Sequence, residues 1–194
     1  MDIKIRAVIF DLDGVIVSTD EYHYQAWKNI ADEQHIDFNR EINNRLRGVS
    51  RMVSLNIILE KANRTYTESE KLRLANRKNE LYKSLLSKLT SNDLFPGAIE
   101  IPRKLKEKGF LIAIGSSSKN ATYILKQLGL DGIFDTVSSG NNITHSKPNP
   151  EVFLKAAEML GVSPRECAVV EDAVTGIDAC LIHRPLIRKS FKQR

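Results

Sequence analysis

The chain has 194 residues, 42% hydrophobic and 27% charged, ordinary values for one globular domain with a modest insertion, which excludes a disordered or collagen-like chain. Its formal charge of +5, from 29 basic against 24 acidic residues, equals the number of Lys and Arg in residues 183–194, a stretch without Asp or Glu, so the body is neutral and no nucleic-acid partner is indicated. The longest apolar run, residues 110–114, is far too short for a membrane span, MDIKIRAVIF has neither the apolar length nor the cleavage site of a signal peptide, and two cysteines make no disulfide framework; a reducing cytoplasm is the expected home.

Residues 3–10, IKIRAVIF, are β-branched and apolar and run into Asp11-Leu12-Asp13-Gly14, which predicts a buried strand ending in a loop. From Thr19 to about Leu89 the texture is charged and helical. Thr19 is placed to cap a helix over residues 21–34, Gly48 and Ser50 interrupt the middle, and Thr67-Glu68-Ser69-Glu70 opens a helix reaching Leu89. A helix near 98–108 follows, with Pro102 tolerable only in its first turn. FLIAIG, residues 110–115, predicts a second buried strand, and SSSKN opens a helix to about Leu128, with Ser118 a fitting N-cap. A short strand is expected near 134–138, a helix over 151–160, and a fourth strand, CAVV, over 167–170, ending at Glu171-Asp172. Strands alternating with helices predict a parallel α/β sheet, with the helical block inserted after the first strand.

Ligands in such sheets bind at the carboxyl ends of the strands. Asp11 and Asp13, then Ser116 to Asn120, then Glu171 and Asp172 follow three of the strands, and Lys147 sits in a loop able to join them. Four carboxylates gathered at one end repel unless a cation joins them, and hard oxygen donors suit Mg²⁺. Serines, helix-start N–H groups and a lysine suit a phosphate. The combination points to phosphoryl chemistry. Taken singly, each residue has an ordinary use: Asp11 and Asp13 as turn formers, Glu171-Asp172 as a helix cap, Lys147 as surface, Trp27 as core.

The ordered set resembles the four motifs of the haloacid dehalogenase superfamily: Asp11-Leu-Asp-Gly, then Ser116, then Lys147, then Glu171-Asp172. Over residues 3–180 it is most similar to the β-phosphoglucomutase branch, through Thr19, Glu21-Tyr-His23, Trp27, Leu46-Arg-Gly-Val-Ser-Arg51, Arg77-Lys-Asn79, Ser118-Lys-Asn120 and Ser146-Lys-Pro148. The resemblance implies a doubly wound, Rossmann-like core over 1–16 and 92–194, and an all-helical cap over 17–91 that closes to exclude water. It implies Asp11 as nucleophile, forming an aspartyl phosphate, and Asp13 as acid and base. Mg²⁺ would be held by Asp11, Asp172 and the Asp13 carbonyl, with Glu171 in support or as a direct ligand. Ser116, Ser117 and Lys147 would hold the transferring phosphate. Ser118, Lys119, Asn120 and Arg51 would hold a second one, while His23, Lys78 and Trp27 face the sugar.

The implied reaction interconverts β-glucose 1-phosphate and glucose 6-phosphate through glucose 1,6-bisphosphate, with sugar phosphates as the partners and neither membrane nor nucleic acid involved. The alternatives are a sugar-phosphate phosphatase of the same superfamily and an inactive truncated remnant. The cap would hinge near residues 14–19 and 88–95, where Ser18 replaces a frequent Asp of the family. Past Gly176 the superfamily's further strand and helix are replaced by a glycine-free tail containing Pro185. We therefore expect an unpaired sheet edge beside CAVV, from a shortened or frame-shifted reading of a longer protein. The family implies a monomer; the open edge offers a route to self-association.

Overall fold

The computed structural model describes residues 4–181. Four parallel strands form one sheet in the order β3-β2-β1-β4: β1 (Ala7–Phe10), β2 (Leu111–Gly115), β3 (Thr136–Ser138) and β4 (Cys167–Val170). The strand proper begins at Ala7 rather than at residue 3. Arg6 still bonds through its backbone to Glu166 and Leu111, and Ile3 lies outside the described residues. β1 is buried along its whole length because it pairs with β2 and β4 and is covered on both faces. The period-2 alternation of a strand decides which side chain goes where. Val8 and Phe10 join Ile112, Ile114, Ile124 and Leu125 on one face, while Ala7 and Ile9 join Phe153, Ala157 and Val169 on the other. Each large side chain so buried is worth roughly 1.5–3 kcal/mol.

Four helices separate β1 from the rest: α1 (Asp20–Glu33), α2 (Arg40–Asn44), α3 (Arg51–Leu59) and α4 (Glu68–Leu86). They enclose an apolar cluster of their own, built around Trp27, Ile30, Phe38, Leu55 and Ile58. α5 (Glu100–Glu107) precedes β2, α6 (Ala121–Gln127) links β2 to β3, α7 (Glu151–Leu160) links β3 to β4, and α8 (Val174–Leu181) follows β4. Pro102 is the third residue of α5, where its missing N–H has no intrahelical partner to lose. α7 ends on Gly161 in the left-handed region.

Two capping expectations fail. Thr19 stands at the start of α1, but its hydroxyl makes no cap bond; it turns to Asp13. The helix after SSSKN begins only at Ala121, and the Ser118 hydroxyl accepts the Asn120 N–H inside the preceding turn. Thr67 does cap α4, in a reciprocal box with Glu70. Thr67→Ala is expected to lower stability by about 1 kcal/mol, read as a reduced urea midpoint at unchanged slope. The helix it opens stops at Leu86, three residues short of the expected end.

Among the described residues β4 has β1 as its one strand neighbour. The expectation for Pro185 and the tail falls on residues 182–194, outside the described part. No helix among the described residues is long and apolar enough to cross a membrane.

Candidate active site

The carboxyl ends of β1, β2 and β4 converge on one cleft of about 520 Å³. Every candidate residue from the sequence lines it except Glu171, which is buried beside it. Asp11 follows β1 directly, anchored by its N–H to the Val170 carbonyl of β4. The Lys147 ammonium is 2% exposed and reaches Asp11 Oδ1 at 2.6 Å and Glu171 Oε2 at 2.7 Å. Burial alone would lower the Lys147 pKa; Asp11 and Glu171 outweigh it and hold the group protonated well above its ordinary range.

Asp11, Glu171 and Asp172 present oxygens that all lie within 4.8 Å of one another. One ammonium faces three carboxylates, so negative charge is in excess. Burial, then repulsion from Asp11, raises the pKa of both Glu171 and Asp172. Asp172 Oδ1 is buried without a hydrogen-bond partner. An orphaned carboxylate oxygen among clustered carboxylates is the donor chemistry of a hard divalent cation. The residues therefore fit Mg²⁺. Gly14 makes the approach possible: its φ is +92°, and a Cβ there would come within 2.3 Å of the Asp172 carboxylate.

Asp13 has a different environment. Burial, aided by the charges of Asp11 and Asp172, pushes its pKa up to about 7 against the opposing Thr19 bond and Lys147 charge. Its carboxylate accepts the Thr19 hydroxyl, whose oxygen in turn accepts the Tyr82 phenol at 3.0 Å. A protonatable acid is thus held by a relay from α4.

Ser116 is buried just past β2, and its hydroxyl accepts the Ser118 N–H. Ser117 Oγ accepts the Lys147 N–H at 3.5 Å, tying this loop to the lysine loop. On the helical block, Lys78 is 2% exposed, with its Nζ 2.7 Å from His23 Nδ1 and 4.3 Å from the Tyr82 ring centre. Burial, then the charges of neighbouring basic groups, keeps both the His23 and the Lys78 pKa well below their usual values, so the two share one short bond with little net positive charge. Trp27 serves both expectations: it is core to the helical block and also lines the cleft. Arg51 Nη2 donates to Asn79 Oδ1 at 2.7 Å, and Asn120 Nδ2 donates to the same oxygen at 3.0 Å.

Sequence reasoning missed Tyr82 and Asn79 as site residues. A signal was present for Tyr82. Ala75, Lys78, Tyr82 and Leu86 form the buried stripe of α4, and a lysine inside an apolar stripe marks polar partners nearby. Asn79, beside that stripe, stood in the stretch Arg77-Lys-Asn79 that carried the resemblance but was given no role.

The family model for haloacid dehalogenase-like hydrolases matches residues 5–181. The chain is 47% identical over 177 residues to a β-phosphoglucomutase of Bacillus subtilis, covering 90% of this chain and 78% of that one. It is 29% identical to a phosphorylated carbohydrates phosphatase of Thermotoga maritima, with 90% and 80% covered. A solved β-phosphoglucomutase from Clostridium difficile superposes with a TM-score of 0.86 at 43% identity, over 90% of this chain and 79% of that one. Matched along the sheet, the helical block and the loops that build the cleft, the chain belongs to the haloacid dehalogenase-like hydrolase family.

Proposed function

We propose that the protein interconverts β-glucose 1-phosphate and glucose 6-phosphate through glucose 1,6-bisphosphate. The observation that carries this over a phosphatase is a second cationic cluster in the same cleft. Arg51 and Lys119 line it beside Ser118 and Asn120, and neither cation makes an ion pair among the described residues. An enzyme handling one phosphate needs one cradle; a bisphosphate intermediate needs two. The similarity to two β-phosphoglucomutases at 43–47% identity, against 29% for the carbohydrate phosphatase, supports the same reading.

In this reading an Asp11 oxygen attacks phosphorus and the phosphorus–oxygen bond to the sugar breaks. Asp13, with its raised pKa, gives the leaving oxygen its proton and takes one from the accepting hydroxyl in the return step. Ser116, Ser117 and Lys147 hold the oxygens of the transferring group. Asp11, Asp172 and the Asp13 carbonyl would hold Mg²⁺, supported by Glu171, and the ion supplies neutralisation of the charge that otherwise opposes the attack. The helical block, residues 17–91, acts as a cap over the core of 1–16 and 92–194, and its closure keeps water from the aspartyl phosphate. His23, Lys78 and Trp27 face the sugar from that side.

The test follows β-glucose 1-phosphate with Mg²⁺ and a trace of glucose 1,6-bisphosphate, scoring glucose 6-phosphate and free phosphate together. Glucose 6-phosphate without phosphate release supports the mutase. Release of free phosphate alone overturns it in favour of the phosphatase, and neither product from a folded protein favours the inactive remnant. Metal binding has its own readout. Added Mg²⁺ is expected to raise the melting temperature of the unaltered chain and to have a much smaller effect on Asp172→Asn, which loses the orphaned anionic oxygen.

A further inference from the structure

We infer that Asn79 is a positioning residue for the second phosphate, a role that rests on the two-phosphate reading above. Arg51 belongs to α3 and Asn79 to α4, whereas Asn120 starts α6 on the far side of the cleft. The Asn79 carbonyl oxygen takes both Arg51 Nη2 at 2.7 Å and Asn120 Nδ2 at 3.0 Å. Two donors from two parts of the fold therefore converge on one neutral oxygen, the arrangement that a phosphate oxygen requires.

Charge makes the choice of residue specific. Burial lowers the Arg51 pKa, so its guanidinium is partly desolvated, and a cation in that state gains most from an anion that comes later. A carboxylate at position 79 would satisfy Arg51 permanently and repel the incoming dianion. An apolar residue would leave Arg51 and Asn120 unaligned. An amide holds both donors without spending the positive charge, which stays available for the ligand. Asn79 also ties the helical block to the core directly, so the second phosphate binds where the two parts already meet. Pre-set donors spare the ligand the cost of ordering them.

The experiment compares the full chain with Asn79→Ala and Asn79→Asp, with Mg²⁺ present. It measures kcat and KM for glucose 1,6-bisphosphate as phosphoryl donor, and kcat/KM for acetyl phosphate, which has no second phosphate. We expect the KM for the bisphosphate to rise about 3–10-fold in Asn79→Ala and more than 10-fold in Asn79→Asp, the scale of one charge-assisted hydrogen bond. The change in kcat is expected to stay within about threefold, and kcat/KM for acetyl phosphate to change by less than about twofold. Equal losses for both donors would make Asn79 a structural residue and overturn the inference. A KM unchanged or lowered in Asn79→Ala would make it idle or a competitor of phosphate, with the same result. Asn79→Asp keeps the size of the side chain, so a folding defect in Asn79→Ala leaves the comparison intact. If the unaltered chain fails to use the bisphosphate at all while acetyl phosphate phosphorylates it, the two-phosphate reading falls instead.

Discussion

An Asp11→Asn protein is expected to lose about 10⁴–10⁶-fold in turnover, the scale seen when a covalent nucleophile is removed, while folding at least as stably as the unaltered chain in metal-free buffer. The two halves of this result have different causes. Turnover is lost because an amide cannot form the acyl phosphate. Stability is kept because Asp11, Glu171 and Asp172 crowd three carboxylates around the single ammonium of Lys147. Removing one negative charge relieves repulsion that burial amplifies. The amide oxygen can still accept from Lys147 Nζ where Oδ1 now lies at 2.6 Å. Product formation measured beside urea unfolding with a chelator present checks both halves. A variant that is inactive and also markedly unstable would count against the charge argument, since the loss of activity would then follow from misfolding.

The opposite outcome is expected for Lys147→Ala. Here the one buried cation bonded to the cluster among the described residues is removed, and Asp11 and Glu171 are left facing each other beside Asp172. Breaking a buried ion pair from one side typically costs about 3–5 kcal/mol, because a charge remains without a partner. That is a large part of the roughly 5–15 kcal/mol that holds a domain of this kind together. Some of the loss would come from the hole left by the lysine stem, which runs over the Phe153 ring with Nζ 4.8 Å from its centre. Lys147→Met keeps the stem and removes only the charge, so the difference between the two variants separates packing from electrostatics. Both should be less unstable with millimolar Mg²⁺, which can replace part of the missing positive charge. A Lys147→Met protein as stable as the unaltered chain without metal would show that the cluster is already relieved by protonation.

Much of this site could be read from the chain alone because its residues follow strands. A buried strand has few ways to end, so the polar residues directly after β1, β2 and β4 had to fall at one edge of the sheet, and they line or adjoin one cleft. The helical character of the insertion was legible too, since residues 20–86 carry little that suits a strand, but only its first and last helices were placed; α2 and α3 fall in the stretch read as interrupted. What could not be read was direction. Thr19 looked like a helix cap, where its oxygen would accept a peptide N–H, but that oxygen accepts the Tyr82 phenol and its proton goes to the Asp13 carboxylate. The link from Asn79 to Asn120 spans two elements 41 positions apart, and nothing local encodes it. Glu171 was expected beside the metal. Its carboxylate clusters with those of Asp11 and Asp172, accepts from Lys147 Nζ and the Ala173 N–H, and stays out of the cleft wall.

The central position of β1 has a consequence for how the protein is made. Ala7 pairs with Leu111 on one side and Cys167 on the other, so the first strand synthesised waits for partners about 100 and 160 residues later. At ~5–20 residues per second, β4 follows β1 by roughly 8–30 s. During that interval the helical block, whose apolar cluster draws only on residues 24–81, comes to have all its partners, while AVIF lacks both of its neighbouring strands. Once residues 24–81 have left the ribosome and β2 has not, the chain therefore carries a helical unit with its own core and, ahead of it, an apolar strand with two open edges. That strand is the segment a chaperone would have to shield, and Asp11, which follows it, is among the first residues translated and among the last to reach its native surroundings.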